Sequence, residues 1–504
     1  MTGKRNHGVR RGTDDKSQLL LELTPSPEAL ISSLRDIGYS FQTAIADLID
    51  NSITARARRI DIVALWNQGH PTVAVIDDGE GMDKEELCAA MRFGSTSPLE
   101  VRAAGDLGRF GLGLKTASIS QCLLLQVFSR KEGVSWNAAW DLDRICRNHE
   151  TSWQIALESG SSLSDERLGE LAARYLEGRK SGTIVFWSRM DRMEQDATND
   201  SFNATVANLR RHLGLTFHRL IKPDPGEGPG ISISVNNRAV EAFDPFNKDN
   251  LACQELPEET IKVDAATIKA QAFVLPHFSK TTAEEYERFG GADGYRGSQG
   301  FYVYRNKRLI ISGTWFRLRP RAELTKLVRI RVDIPNSLDS IWKIDIKKSG
   351  ADLPEKVRMA LAKVYGIAVK RSEAVVHHRG YTLPTAVSEP VWIRTEVDKT
   401  ISYSVNRQGY AFKKLIESFP EEQQKKLLLF VHLLESRLPT EQLYADICDK
   451  PKSMRQITLP IEVLEFLLDT YRTSHPTATI EEILTIDPFF LYEEDVKRLL
   501  QKGQ

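Results

Sequence analysis

Three polar side chains at helical spacing open the case for chemistry. In Ala46-Asp-Leu-Ile-Asp-Asn-Ser-Ile53, Asp47 and Asp50 are three residues apart and Asp47 and Asn51 four apart, so on a helix they share a face. Ile45, Leu48, Ile49 and Ser52 turn the other way, toward a core. A carboxylate beside an amide oxygen suits a general base next to a Mg²⁺ ligand, because Mg²⁺ takes few protein oxygens and completes its shell with phosphate and water. Taken alone, the pattern fits a solvated acidic helix face equally well.

Two further segments add to it. Val75-Ile-Asp-Asp-Gly-Glu-Gly-Met82 is a buried-type strand running into a glycine turn. Asp77 stands at the strand's end, where a carboxylate can accept from an exocyclic amine. Gly79 and Gly81 remove Cβ atoms so that backbone can approach a flat ring. A plain strand–turn–helix with Asp as turn former gives the same string. In Gly105-Asp-Leu-Gly-Arg-Phe-Gly-Leu-Gly-Leu-Lys-Thr-Ala117, Gly108, Gly111 and Gly113 precede a helix, whose free N–H groups can hold phosphate beside the Lys115 charge. The spacing is neither a Walker loop nor a dinucleotide fingerprint. Ser181-Gly-Thr183 opens a strand and offers a hydroxyl at Thr183.

In this order and spacing, the four segments resemble the GHKL ATPase superfamily of gyrase, heat-shock chaperone, histidine kinase and MutL types. The resemblance covers about residues 26–225 and implies ATP and Mg²⁺ as cofactors. It places Asp47 as general base, Asn51 as Mg²⁺ ligand and Asp77 as the adenine-recognising carboxylate. Gly79, Gly81 and Met82 line the base pocket. Gly108, Gly111, Leu112, Gly113, Leu114 and Lys115 form the lid, and Thr183 lies near purine and phosphate. One departure is that the superfamily base is usually Glu. Asp47 is shorter by one C–C bond, about 1.5 Å, which implies slow turnover or a closer helix.

Farther along, Gly300-Phe-Tyr-Val-Tyr-Arg-Asn-Lys-Arg-Leu-Ile310 resembles a strand of the S5-like transducer domain in MutL and MORC proteins. A transducer lysine in that layout reaches the γ-phosphate. Trp342-Lys-Ile-Asp-Ile-Lys-Lys-Ser349 offers Lys347 and Lys348, with Lys348 preferred; a solvent-facing basic strand end is the alternative. Gly94-Ser-Thr-Ser97 is similar to the MutL "TSK" segment without its lysine.

The elements that must position these residues read as a mixed α/β (α+β) sandwich. Candidate helices are Pro27–Leu34, Phe41–Ala55 and Lys84–Met91. Candidate strands are Ile60–Ala64, Thr72–Asp77, Leu123–Ser129 and Thr183–Trp187. The Pro/Gly run 222–230 marks a boundary. The expected layout is a polar arm and first strand at 1–25, the ATP-binding domain at 26–225, the transducer at 230–380 and a small all-α region at 390–504. Thr281–Gln299, with its glycines, reads as a surface loop.

Composition limits the remaining classes. The 504 residues are 41% hydrophobic and 27% charged, an ordinary globular balance. Lys plus Arg (68) equals Asp plus Glu (68), so only a local basic face, such as Arg210–Arg219, can meet nucleic acid. No apolar run approaches the ~18 residues of a membrane span, and the basic start has no signal-peptide core. The five cysteines, Cys88, Cys122, Cys146, Cys253 and Cys448, form no CxxC pair, which points to a reducing cytoplasmic setting. The sequence shows no metal-endonuclease motif, topoisomerase tyrosine domain, CW-type cysteines or phosphoacceptor-histidine helix.

The expected function is therefore ATP hydrolysis, with ATP-dependent homodimerisation clamping DNA in repair, restriction or phage defence. A helicase or nuclease partner is expected at the C-terminal helices. The alternatives are a chaperone-like ATPase acting on a protein partner, and a nucleotide-binding scaffold with negligible turnover.

Overall fold

The computed structural model describes residues 25–36, 38–93, 113–147, 153–192, 198–263, 266–291, 293–335, 355–378, 389–397, 400–440, 442–443 and 458–502. Gly108, Gly111, Leu112, Lys347, Lys348 and the amino-terminal arm to residue 24 lie outside the described residues. The chain forms two compact units. The first runs to Asp244 and includes Arg305–Leu309, and the second begins at Pro245.

In the first unit the elements are α1 (Pro27–Arg35), α2 (Phe41–Thr54), β1 (Arg59–Leu65), β2 (Thr72–Asp77), α3 (Lys84–Met91), α4 (Gly113–Ile119), β3 (Leu124–Lys131) and β4 (Val134–Asp141). They continue as α5 (Leu142–Arg147), β5 (Ala156–Ser159), α6 (Glu166–Leu176), β6 (Gly182–Ser188), α7 (Asn199–Thr216), α8 (His218–Ile221), β7 (Ser232–Val235) and β8 (Arg238–Ala239). The eight strands make one sheet in the order β5-β4-β3-β6-β2-β1-β7-β8. Its pairs are antiparallel except β1–β7, which is parallel.

The two-residue period of a strand divides this sheet into two faces. On one face Val73, Val75, Val127, Val185 and Trp187 pack with Ile45, Leu48 and Ile49 of α2, Ala117 of α4, and Phe202 and Leu209 of α7. On the other, Ala74, Ile76, Phe128, Ile184 and Phe186 meet Leu168, Ala172 and Leu176 of α6. Central strand β2 is accordingly buried at all six positions. Three residues continue the first parity to the strand ends: Asp77, Thr183 and Ser129. They therefore project toward α2.

The run 222–230, expected as a boundary, lies inside the first unit. The run is an internal turn, because Ser232–Val235 returns to pair with β1 and the unit closes only at Asp244. Local Pro/Gly punctuation marks a reversal of the chain without saying whether the next strand joins the old sheet.

The elements of the next sheet and its helices are β9 (Gln254–Glu255), β10 (Glu259–Val263), β11 (Ala266–Val274), α9 (Ala283–Gly290), α10 (Gly294–Ser298), β12 (Gly300–Arg305), β13 (Arg308–Thr314), β14 (Val328–Ile334) and α11 (Glu355–His378). The sheet order is β10-β11-β14-β12-β13, with β9 paired to β11. Its core combines Ile268, Val303, Ile330 and Val332 with Val357 and Leu361 of α11. The expected loop at 281–299 is in fact α9 and α10, joined by stacking of Tyr286 on Tyr295. Thr282 caps α9 by accepting from the Glu285 N–H.

Beyond residue 389 the elements are β15 (Trp392–Val397), β16 (Thr400–Val405), α12 (Tyr410–Glu417), α13 (Glu421–Ser436), α14 (Ile461–Ser474), α15 (Ile480–Ile483) and α16 (Glu493–Lys502). Tyr410, Leu468, Phe489 and Val496 belong to a separate apolar core. The antiparallel β15–β16 hairpin corrects the all-α expectation. Its short, β-branched strands lack the helical period that exposed their neighbours. Among the described residues, no helix is long and apolar enough to cross a membrane.

Candidate functional site

Asp77 is the buried focus of the site. Its carboxylate accepts from Ser52 Oγ at 2.9 Å and from the Gly79 N–H at 2.9 Å. Burial pushes its pKa up to about 6, with the two hydrogen bonds pulling the other way. A carboxylate held at this balance can accept from one further donor. Across the sheet Asp77 pairs with Thr183, and Thr183 with Ser129. The Thr183 and Ser129 hydroxyls lie 3.0 Å apart, and Ser129 Oγ accepts from the Met82 N–H at 2.8 Å. Asp77, Thr183, Ser129 and Met82 thus form a polar row at the strand ends.

The glycines of the turn also meet a need of the fold itself. A Cβ on Gly79 would stand 2.7 Å from the Ala55 carbonyl oxygen. One on Gly81, whose φ is +68°, would stand 1.9 Å from the Arg130 carbonyl oxygen. Close approach of the protein's own backbone already excludes side chains there.

Helix α2 carries the second group. Ser40 caps it by accepting from the Thr43 N–H. Its apolar residues fix the rotation that leaves Asn51 exposed and Asp47 half-buried. The Tyr39 hydroxyl donates to Asp47 Oδ2 at 3.1 Å. Burial, followed by the Asp47 charge, holds the Tyr39 pKa well above its ordinary value. Asp50 was expected on the polar face but is buried at 4% exposure. Arg308 Nε lies 2.7 Å from its carboxylate, and Arg308 Nη2 lies 3.3 Å from Asp47 Oδ1. Removing one partner of a buried pair such as Arg308–Asp50 costs about 3–5 kcal/mol, because the other charge is stranded.

Of the lid residues, Gly113, Leu114 and Lys115 are described, at the start of α4. Lys115 is buried, and its ammonium donates to the Ala90 and Arg92 carbonyl oxygens at 2.8 and 2.7 Å. Burial pushes its pKa down to about 8. In this structure it ties the start of α4 to the end of α3. Among the described residues no cluster of three His, Cys, Asp or Glu can hold a metal. Asn51 fits the alternative, an exposed single oxygen donor within α2, of the kind Mg²⁺ uses with phosphate and water.

Tyr39, Ser52, Ser129 and Arg308 escaped the sequence reading. Ser52 had been assigned to the core side, where it indeed lies, but as a donor to Asp77. The signal for Ser129 was its parity with Leu125 and Val127. Nothing local announces Arg308, which is 258 residues from Asp50.

Residues 39–183 match the model of the histidine kinase-, DNA gyrase B- and HSP90-like ATPase family. ATPase morc-1 of Caenorhabditis elegans is 33% identical over 92 residues, covering 18% of this chain and 10% of that protein. DNA mismatch repair protein MutL of Thermus aquaticus is 36% identical over 99 residues, covering 19% of this chain and 18% of its own. MutL of Caulobacter vibrioides is 28% identical over 216 residues, covering 40% and 29%. The chain thus spans less than a third of each of these relatives. The matched segment holds the Asp47 and Asn51 helix face, the Asp77 turn and the Thr183 strand end. It is therefore a GHKL-type ATPase domain of the MutL/MORC-like branch.

Proposed function

We propose that the chain binds ATP with Mg²⁺ and hydrolyses it. The observation that carries this reading is the buried Asp77 carboxylate at the end of β2, held by Ser52 and Gly79 beside the helix that bears Asp47 and Asn51. Asp77 takes the adenine amine, and the Thr183–Ser129 hydroxyl pair supports that end of the nucleotide. Asn51 would hold Mg²⁺, which supplies charge neutralisation on the triphosphate. Asp47 takes a proton from water as the water oxygen bonds to the γ-phosphorus. The bond to the β–γ bridging oxygen then breaks, releasing ADP and phosphate. Gly108, Gly111 and Leu112 belong to the proposed lid, and Lys348, with Lys347 second, is the proposed γ-phosphate contact.

The wider reading is an ATP-dependent homodimer that encloses DNA, supported by the likeness to MutL and MORC proteins. In Arg210–Arg219, Arg210 and Arg219 are half-buried and His218 is buried, whereas Arg211 is exposed. This segment does not supply the continuous basic face first expected, so DNA contacts would use other charges. A remodelling ATPase acting on a protein partner is the second reading, and the two differ in whether DNA is retained.

Light scattering with a non-hydrolysable ATP analogue and Mg²⁺, with and without duplex DNA, tests the wider reading. The clamp predicts doubled mass with analogue and DNA retention that weakens steeply with salt. An unchanged mass and no DNA retention at low salt would transfer the case to the protein-directed ATPase.

A further inference from the structure

Arg308 lies in the run first noted for its likeness to a transducer strand, and the proposed hydrolysis gives it no task. Its guanidinium is nevertheless the group placed against the catalytic helix face. The turn that carries it has Asn306 and Lys307 both in the left-handed region, at φ 48° and 68°. That is the requirement of a tight two-residue hairpin turn. Lys307 Nζ lies 3.1 Å from Glu227 Oε2, a further tie on the same turn. Arg308 itself is 3% exposed and stacks 5.8 Å from the Phe217 ring.

The contact geometry is unequal in an informative way. Nε is 2.7 Å from Asp50, a strong charge-assisted contact, whereas Nη2 reaches Asp47 Oδ1 at 3.3 Å. Asp50 anchors the arginine, and the arginine then lends a second N–H to Asp47. The other Asp47 oxygen receives the Tyr39 hydroxyl at 3.1 Å. A short aspartate has little reach toward an attacking water, so its useful orientations are few. Donors on both oxygens restrict it to one of them.

We propose that Arg308 is a positioning residue for hydrolysis, anchored on Asp50 so that its fork fixes the Asp47 carboxylate against the Tyr39 hydroxyl. The proposal rests on Asp47 acting as the base. A planar guanidinium can span two carboxylates one helical turn apart, whereas a lysine ammonium offers a single point of charge. A purely structural ion pair needs only Asp50. The Asp47 contact is what the structural role leaves unexplained.

The test uses the full chain and measures kcat together with the Kd of a non-hydrolysable analogue. Arg308→Gln alone strands Asp50, so the decisive variant is Asp50→Asn combined with Arg308→Gln, which replaces the buried ion pair by a neutral one. Its kcat should fall by at least about tenfold with analogue affinity within about twofold, since a misplaced catalytic group costs rate rather than binding. Arg308→Lys should recover part of the loss. A double variant with parental affinity and parental kcat overturns the positioning role, as does an equal loss in both quantities. Asp47→Ala in the same assay separates the two ideas. Parental turnover there removes the base and Arg308's task with it, whereas a defect confined to Asp47→Ala removes Arg308 alone. A parental chain without turnover overturns both.

Discussion

Lowering the pH from 7 to 5 should weaken nucleotide binding about tenfold through Asp77. Burial raises this carboxyl from its ordinary 3.8 to about 6, and the ionised form is the strong, charge-assisted acceptor for the adenine amine. The ionised fraction is about 10/11 at pH 7 and about 1/11 at pH 5, which sets the tenfold ratio. The stability effect has the opposite direction. Because the folded-state pKa is raised, the native state binds more protons than the unfolded chain between about pH 4 and 6. Stability from this group is therefore present at low pH and falls by about 3 kcal/mol as pH rises through that window. Calorimetry with a non-hydrolysable analogue from pH 5 to 8 checks the first effect, after correction for the free nucleotide's own titration in the same buffers. Asp77→Asn should abolish binding throughout. Affinity that is flat from pH 7 to 5, or parental affinity in Asp77→Asn, would refute the assignment of Asp77 to the base pocket.

Gly81→Ala should lower the melting temperature sharply, because its Cβ would overlap the Arg130 carbonyl at a φ of +68°; thermal unfolding of the purified variant reads this directly. Ser52→Ala removes a buried donor to Asp77 and should cost about 1–3 kcal/mol, measured by chemical denaturation. It should also raise the Asp77 pKa, so that the loss of affinity on acidification begins at higher pH. Lys348→Ala should slow hydrolysis with little change in analogue affinity, whereas Lys347→Ala should leave turnover near parental; the reverse result in steady-state kinetics would exchange their roles.

The candidate site was legible where local periodicity and chemistry coincide. Helix α2 combines an apolar stripe with Asp47 and Asn51 on one surface, and β2 runs unbroken hydrophobics into Asp77, so both could be read from a few neighbouring residues. The strand-end row was half legible. The resemblance to GHKL strands named Thr183, but Ser129 reads as an ordinary strand serine without the pairing of β3 with β6. Asp50 misled because three-residue spacing brings it near Asp47 without revealing a buried cation between them. That cation comes from position 308, and a contact of such sequence separation leaves no local pattern. Strands β4 and β11 were missed for a related reason. Polar residues such as Asn137 and Gln271 interrupt their apolar runs, and pairing to neighbours rather than composition makes them strands.

The most direct test of the central claim is single-turnover ATP hydrolysis by the parental chain and Asp47→Ala at saturating Mg²⁺, with analogue affinity measured on the same samples. The account predicts Mg²⁺-dependent turnover in the parental chain. In Asp47→Ala it predicts retained analogue binding and hydrolysis slower by ~10²–10⁴-fold, the usual contribution of a general base. Hydrolysis at the parental rate in Asp47→Ala, or a parental chain that binds the analogue and never turns ATP over, would contradict it.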